Sequence, residues 1–127
     1  PATRMLRFAG AQLPCLIARA DNGAVQWIEL EADRMPVGQH PKQMLPFTPR
    51  EVLLLPGDTV YLFTDGVVDQ FGGPKTKRFG QARVRTLIEG VLAQDMPAQG
   101  EAIAQAIAQW RADADQTDDL LMIGMRA

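Results

Sequence analysis

Thr59-Val60-Tyr61-Leu62-Phe63-Thr64-Asp65-Gly66 is the stretch on which the reading of this chain turns. Its first five residues form a continuous apolar and β-branched run, the pattern of a strand buried on both faces. Asp65 stands where that strand ends, and Gly66 lets the backbone turn sharply. A carboxylate at the end of a rigid strand, directed into a cleft, is well placed to hold a metal ion. Just upstream, Pro56-Gly57-Asp58 marks a turn, and Val52 to Leu55 a short strand before it.

Outward from this stretch the pattern is strand-rich on one side and helical on the other. Met5, Leu6 and Phe8 form a short apolar run that ends at Ala9-Gly10, and Leu13 to Ala18 a second. Asp21-Asn22-Gly23 predicts a turn, and Val25 to Leu30 a returning strand, so the three pieces are expected to form a β-meander. Met35 to Pro49 is rich in Pro and Gly and reads as an ordered loop with one short strand near its end. Phe71 to Phe79 reads as a loop. Val84, Leu87, Ile88, Val91 and Leu92 then make one stripe of an amphipathic helix. A second helix starts near Pro97, with Ile103, Ala106, Ile107 and Trp110 as its stripe. Leu120 to Met125 is a last strand. The order predicts an α+β layout, with helices covering one face of a mostly antiparallel sheet.

Composition narrows the function classes. The chain has 127 residues, enough for one domain and one core, with 46% hydrophobic and 22% charged residues. Its net charge is −2 with acids and bases intermixed, and no basic stripe argues for nucleic-acid binding. Cys15 is the only cysteine, which fits a reducing compartment. His40 is the only histidine, which speaks against zinc clusters and a Ser-His-Asp triad. No apolar run reaches the roughly 20 residues that span a bilayer. No signal peptide is visible, and Pro1 suggests a segment of something longer. The segment is expected to be cytoplasmic, without membrane contact of its own; its parent could be anchored through an upstream region.

Two acidic positions carry the candidate chemistry: Asp65, and the pair Asp118-Asp119 before the last strand. If that strand lies beside the one ending at Phe63, the acidic sites converge at one sheet edge. Converging carboxylates repel by about 4 kcal/mol at ~4 Å and an effective dielectric near 20. A proton or a cation relieves this, and oxygen-only ligation suits Mg²⁺ or Mn²⁺. The plainer alternative stays open, because Asp-Gly after a strand is usually just a turn. Asp118-Asp119 read alone is equally well a turn or a solvated edge. Asp69 reads as a local cap, and Lys75, Lys77 and Arg78 as a solvated loop or, less often, a phosphate contact. A haloacid-dehalogenase nucleophile is strongly disfavoured, since the position two residues before Asp65 is Phe63, which cannot form a phospho-enzyme.

Leu55-Pro56-Gly57-Asp58-Thr59 through Asp65-Gly66-Val67 resembles the signature of the SpoIIE-type branch of the PPM metal-dependent protein phosphatases. Asp69-Gln70-Phe71-Gly72-Gly73-Pro74-Lys75 with Lys77-Arg78-Phe79 resembles a sub-branch found in bacterial sensory and response-regulator phosphatases. Gln116-Thr117-Asp118-Asp119 resembles the family's closing motif. Phe8-Ala9-Gly10 with Pro14, and Met35-Pro36-Val37-Gly38, resemble two further segments, although Ala11 and Gln12 replace a usual polar pair. The matches fall in the family's order over nearly the whole chain.

The resemblance implies a β-sandwich flanked by helices in αββα layers, of which residues 1–127 would be a single partial domain, the C-terminal portion. It implies a two-metal Mn²⁺ or Mg²⁺ centre with Asp65 and Asp118 as ligands. Gly66, Asp69 and Asp119 are weaker candidates beside the metals, and Lys75, Lys77 and Arg78 candidates for phosphate or substrate contact. The implied reaction is hydrolysis of phosphoserine or phosphothreonine on a bacterial regulatory protein such as a STAS-type anti-sigma-factor antagonist. An upstream sensor or receiver domain would share the chain. The family's bridging Asp-Gly and its Asp-Gly-Met-Gly-His-Gly-like segment do not occur in these residues. The family's domain runs to roughly 200 residues. The bridging half is therefore expected upstream of Pro1, and the 127 residues alone are expected to bind metal weakly, to lack turnover and to be prone to self-association. The alternative is a non-catalytic pseudophosphatase that binds a regulatory partner.

Overall fold

The structure is a computed structural model that describes residues 3–38 and 45–127. His40 and Pro41 lie outside the described residues. The chain divides into two compact units, Pro1–Leu62 with Arg126–Ala127, and Phe63–Met125.

The first unit is built of strands: β1 (Met5–Phe8), β2 (Cys15–Asp21), β3 (Ala24–Leu30), β4 (Arg50–Leu53) and the body of β5 (Thr59–Phe63). β2 and β3 form an antiparallel hairpin from Cys15↔Leu30 to Asp21↔Ala24. Its turn residues Asn22 and Gly23 both take left-handed φ, 48° and 86°, which suits the strand twist. β5 pairs antiparallel with the other edge of β2, Leu16↔Tyr61 to Ala18↔Thr59.

The expected meander does not form. β1 pairs with β4, Met5↔Leu53 to Phe8↔Arg50. After β1 the chain is diverted by hydrogen bonds to Asp33: Gln12 N donates to its carbonyl (2.8 Å), and its own amide donates to Gly10 O (2.9 Å). Gln12 turns with φ 67°, so no hairpin closes between β1 and β2. No strand occurs in the described part of Met35 to Pro49; pairing starts only at Arg50. Thr48 is instead tied to the Asp33 carboxylate through its amide (2.6 Å) and its hydroxyl (2.9 Å).

Cys15, Ile17, Leu30, Leu54 and Val60 form the core of this unit, with Leu6, Phe8, Ile28 and Val52 packed against it. Each such side chain contributes about 1.5–3 kcal/mol when fully buried. β5 is buried only over Thr59, Val60 and Tyr61; Leu62 is 38% exposed, because the β2 ladder stops at Tyr61. Burial pushes the Cys15 thiol up to about 11. At neutral pH it is therefore a protonated, inert thiol. Native protein should resist a thiol-labelling reagent at Cys15 and label fully in denaturant; fast labelling of the native state would contradict this burial.

One charged pair braces the unit. The Arg19 guanidinium grips Asp58 with both prongs, Nε to Oδ1 (2.9 Å) and Nη2 to Oδ2 (2.6 Å). Leu55 N donates to the same carboxylate (2.8 Å), across the Pro56-Gly57 turn. Asp58 is 1% exposed.

The second unit holds α1 (Asp65–Asp69), β6 (Phe71–Gly72), β7 (Lys77–Arg78), α2 (Gly80–Val91), α3 (Met96–Arg111) and most of β8 (Met122–Arg126). The predicted stripes are the buried faces: Val84, Ile88 and Val91 on α2, and Ile103 and Ile107 on α3. Asp95 caps α3 by accepting from Ala98 N (2.8 Å), and Pro97 sits in the first turn. Buried Gln99 donates to Leu92 O and Gln94 O (both 3.1 Å), which satisfies carbonyls left over where α2 ends.

Phe71 to Phe79 is not a plain loop. It closes as a small hairpin, Phe71↔Arg78 and Gly72↔Lys77, because Gly73 and Thr76 adopt left-handed φ of 69° and 44°. The last strand starts later than expected, at Met122, since both main-chain groups of Leu121 are taken by Thr64. Among the described residues no helix is long and apolar enough to cross a membrane. The elements are mixed helix and antiparallel sheet, as the sequence pattern predicts.

Candidate functional site

The four candidate acids, Asp65, Asp69, Asp118 and Asp119, all belong to the second unit. Asp65 opens α1. Thr64 takes the extended N-cap conformation but makes no capping bond with its side chain. Its hydroxyl is used elsewhere: it donates to Asp119 O (2.6 Å) and accepts from Leu121 N (3.1 Å). Thr64 N also donates to Leu121 O (3.0 Å). The end of β5 is thereby fastened to the segment that follows Asp118.

Gly66 completes the junction. A Cβ there would fall against the Asp119 carbonyl oxygen, with Asp118 Cβ 3.2 Å away. Only a glycine permits this approach, so the Asp65-Gly66 turn and Asp118-Asp119 lie against each other. The two aspartates are held alike. Asp65 Oδ1 accepts from Gly66 N (3.1 Å), and Asp118 Oδ1 accepts from Asp119 N (2.7 Å). Arg111 Nη1 donates to Gln116 Oε1 (3.1 Å), and Gln116 Nε2 donates to Asp118 O (3.0 Å), which steadies the loop. Asp65, Asp118 and Asp119 are exposed.

The remaining candidates separate from this pair. Asp69 ends α1 and forms an exposed ion pair with Arg78 (3.0 Å), away from Asp65 and Asp118 in its contacts. Arg78 also lies over the Phe71 ring, 5.7 Å from its centre. Lys75 and Lys77 are exposed on the hairpin, and no contact among the described residues joins them to the carboxylates.

Among the described residues, no group of three or more His, Cys, Asp or Glu side chains could hold a metal ion. Asp65 and Asp118 are thus a pair of hard oxygen donors, not a cage. The donor chemistry fits Mg²⁺ or Mn²⁺ bound through one or two carboxylates, with other positions left to water or further ligands.

Sequence reading gives no role to Thr64 or Gln70, and places Trp110 only in the apolar stripe of its helix. Gln70 is 1% exposed and joins α1, the hairpin, α3 and the Asp118 loop. A single buried glutamine between two helical patterns leaves no periodic signal; its only trace is its place in the Asp69-to-Phe79 segment.

The family model for Stage II sporulation protein E (SpoIIE) matches residues 1–127. No curated protein matches the chain. Among solved structures, the SiaA-PP2C domain of Pseudomonas aeruginosa superposes with a TM-score of 0.85 at 31% identity, over 98% of this chain and 47% of that one. The PP2C phosphatase domain of SpoIIE from Bacillus subtilis, solved with a fragment of its regulatory domain, gives 0.74 at 18% identity, over 96% and 33%. A manganese-presoaked structure of the B. subtilis SpoIIE phosphatase domain gives 0.62 at 14% identity, over 96% and 49%. The chain spans about half the length of the first and third of these, and a third of the second. With the whole chain matched by one family model and the fold shared with PP2C phosphatase domains, this chain belongs to the SpoIIE family.

Proposed function

We propose that these residues form part of a Mn²⁺- or Mg²⁺-dependent protein serine/threonine phosphatase, in which Asp65 and Asp118 hold metal. The observation that carries this reading is the contact of Gly66 with the Asp119 carbonyl, which brings the backbone of Asp65-Gly66 against that of Asp118-Asp119, two tethered segments whose aspartates are exposed. When bound, the ions supply a water acidified towards neutral pH and offset charge on the phosphoryl group. The chain's own part is positional. Gly66 N and Asp119 N each fix one carboxylate oxygen, so Asp65 and Asp118 meet a cation without first having to order. They set its place and do not accept protons. Two carboxylates are too few for a two-metal centre, so further ligands would be needed to complete it. The substrate proposed is a phosphoserine or phosphothreonine on a regulatory protein of the STAS type, with a sensor or receiver domain as the input.

A second reading is a partner-binding module without turnover, in which the exposed Asp65, Asp118 and Asp119 would meet a partner surface. One experiment separates them. The full-length protein should hydrolyse a phosphoserine peptide with Mn²⁺ or Mg²⁺ and lose that activity on chelation. Hydrolysis that survives chelation would contradict the metal-dependent reading. Stoichiometric partner binding with no turnover at any metal concentration would establish the binding module.

A further inference from the structure

α1 is only five residues long, yet both of its caps reach into the loop that carries Asp118. The N-cap Thr64 holds the far end of that loop through Asp119 O and Leu121 N. The C-cap Gln70 holds the near end: its Nε2 donates to Asp115 O (3.1 Å) and to Phe71 O (2.9 Å). The Gln70 main chain is equally committed. Its amide donates to Gly66 O (3.0 Å), and its carbonyl accepts from Phe79 N (2.9 Å) and Trp110 Nε1 (3.3 Å).

The side chain is buried, and Oε1 has no hydrogen-bond partner. Turning the amide over would set that oxygen against two carbonyl oxygens, so the two donors fix its orientation. A buried amide that leaves its own acceptor unmet, to keep two donors on two loops, acts as a strut between them. Most of the 112–119 loop is exposed, with only Ala114 half-buried, so packing does little to place it. We propose that Gln70 is a positioning residue. It ties the loop bearing Asp118 to α1 bearing Asp65 and thereby sets the spacing of the two carboxylates. This inference rests on the metal-binding reading of those residues.

The test uses the full-length protein with Gln70→Met, which keeps the volume and removes both donors, and Gln70→Glu, which sets a carboxylate against two carbonyls. Val84→Ala, in the buried face of α2, is the control for general loss of stability. Two readouts are compared: Mn²⁺ affinity by calorimetry, and amide exchange over residues 115–119 in metal-free protein. Q70M should weaken Mn²⁺ binding about 10- to 100-fold, the range seen when a partner behind a ligand is lost. It should also speed exchange over 115–119, and Q70E should do both more strongly. V84A should lower the melting temperature and leave both readouts within about twofold. If Q70M does not fold, Gln70→Asn, which keeps the amide one methylene short, carries the same comparison. Unchanged exchange over 115–119 overturns the strut. So does wild-type Mn²⁺ affinity in Q70M where Asp118→Asn has lost it. Wild-type Mn²⁺ affinity in Asp118→Asn overturns instead the metal-binding reading beneath it.

Discussion

Asp65→Asn in the full-length protein should lower metal-dependent hydrolysis by more than about 100-fold, beyond the upper end for losing a partner behind a ligand. It should leave the melting temperature nearly unmoved. Asn keeps the Oδ1 acceptor that Gly66 N uses in the native turn, and Asn is itself a good turn residue. What it loses is the charge and one hard oxygen donor. Asp118→Asn should behave alike, since its Oδ1 still serves Asp119 N. The double variant should be little worse than either single one, because groups that serve one ion act as a unit. The substitution thus separates the two roles open to an Asp before a Gly. A turn residue tolerates Asn and a ligand does not. Steady-state rates across a Mn²⁺ titration make the measurement; near-wild-type turnover in D65N would return Asp65 to the status of a turn residue.

Arg19→Met should destabilise the fold by up to about 3 kcal/mol at neutral pH, the lower end for removing one partner of a buried ion pair, because Asp58 is buried but Arg19 is partly exposed. That is a large share of the ~5–15 kcal/mol that holds a typical domain together. The variant leaves Asp58 1% exposed and charged, with Leu55 N as its remaining donor. The pH dependence follows from the direction of the shift. The Arg19 hydrogen bonds hold the Asp58 carboxyl below its ordinary value, against the opposing effect of burial. A carboxyl whose folded pKa is depressed adds stability above its unfolded value of about 3.9, and that stability fades as pH falls through the folded value. Without Arg19, burial outweighs the Leu55 hydrogen bond and pushes the carboxyl up, so protonation relieves the variant. Urea melts at pH 7 and pH 3 should therefore show the gap between wild type and R19M narrowing in acid. A gap that stays constant would mean the pair contributes packing and little electrostatic stability. Replacing both partners with apolar residues should be milder than removing Arg19 alone.

Much of the fold is legible because it is periodic or punctuated. The stripes of α2 and α3, the Asn22-Gly23 turn and the first-turn Pro97 each carry a local signal that the structure honours. The pairing of β1 was not legible. A short apolar run says that Met5 to Phe8 is extended; it does not say that β4, some 45 residues on, is the neighbour. The β6–β7 hairpin was missed because its strands are two residues each, too short for a period, and its Gly-Gly-Pro reads as loop. At the candidate site, Asp65 and Asp118 could be singled out from the apolar runs that they adjoin. The groups that bring them together could not. Thr64 and Gln70 act through hydrogen bonds to residues 55 and 45 positions away, and such bonds leave no mark on neighbouring sequence.

The hairpin has one more consequence. It is attached to α3 by main-chain atoms: buried Gly72 leaves no room between its Cα and the Trp110 carbonyl, and Gly73 N donates to that same oxygen (2.8 Å). An anchor written in backbone is indifferent to the identity of the side chains beyond it. Pro74 and Lys75 at the exposed tip can therefore be replaced without touching that anchor, whereas Gly72 and Gly73 cannot. A point mutation there can change the charge of the tip, and so what it touches, without reopening the core.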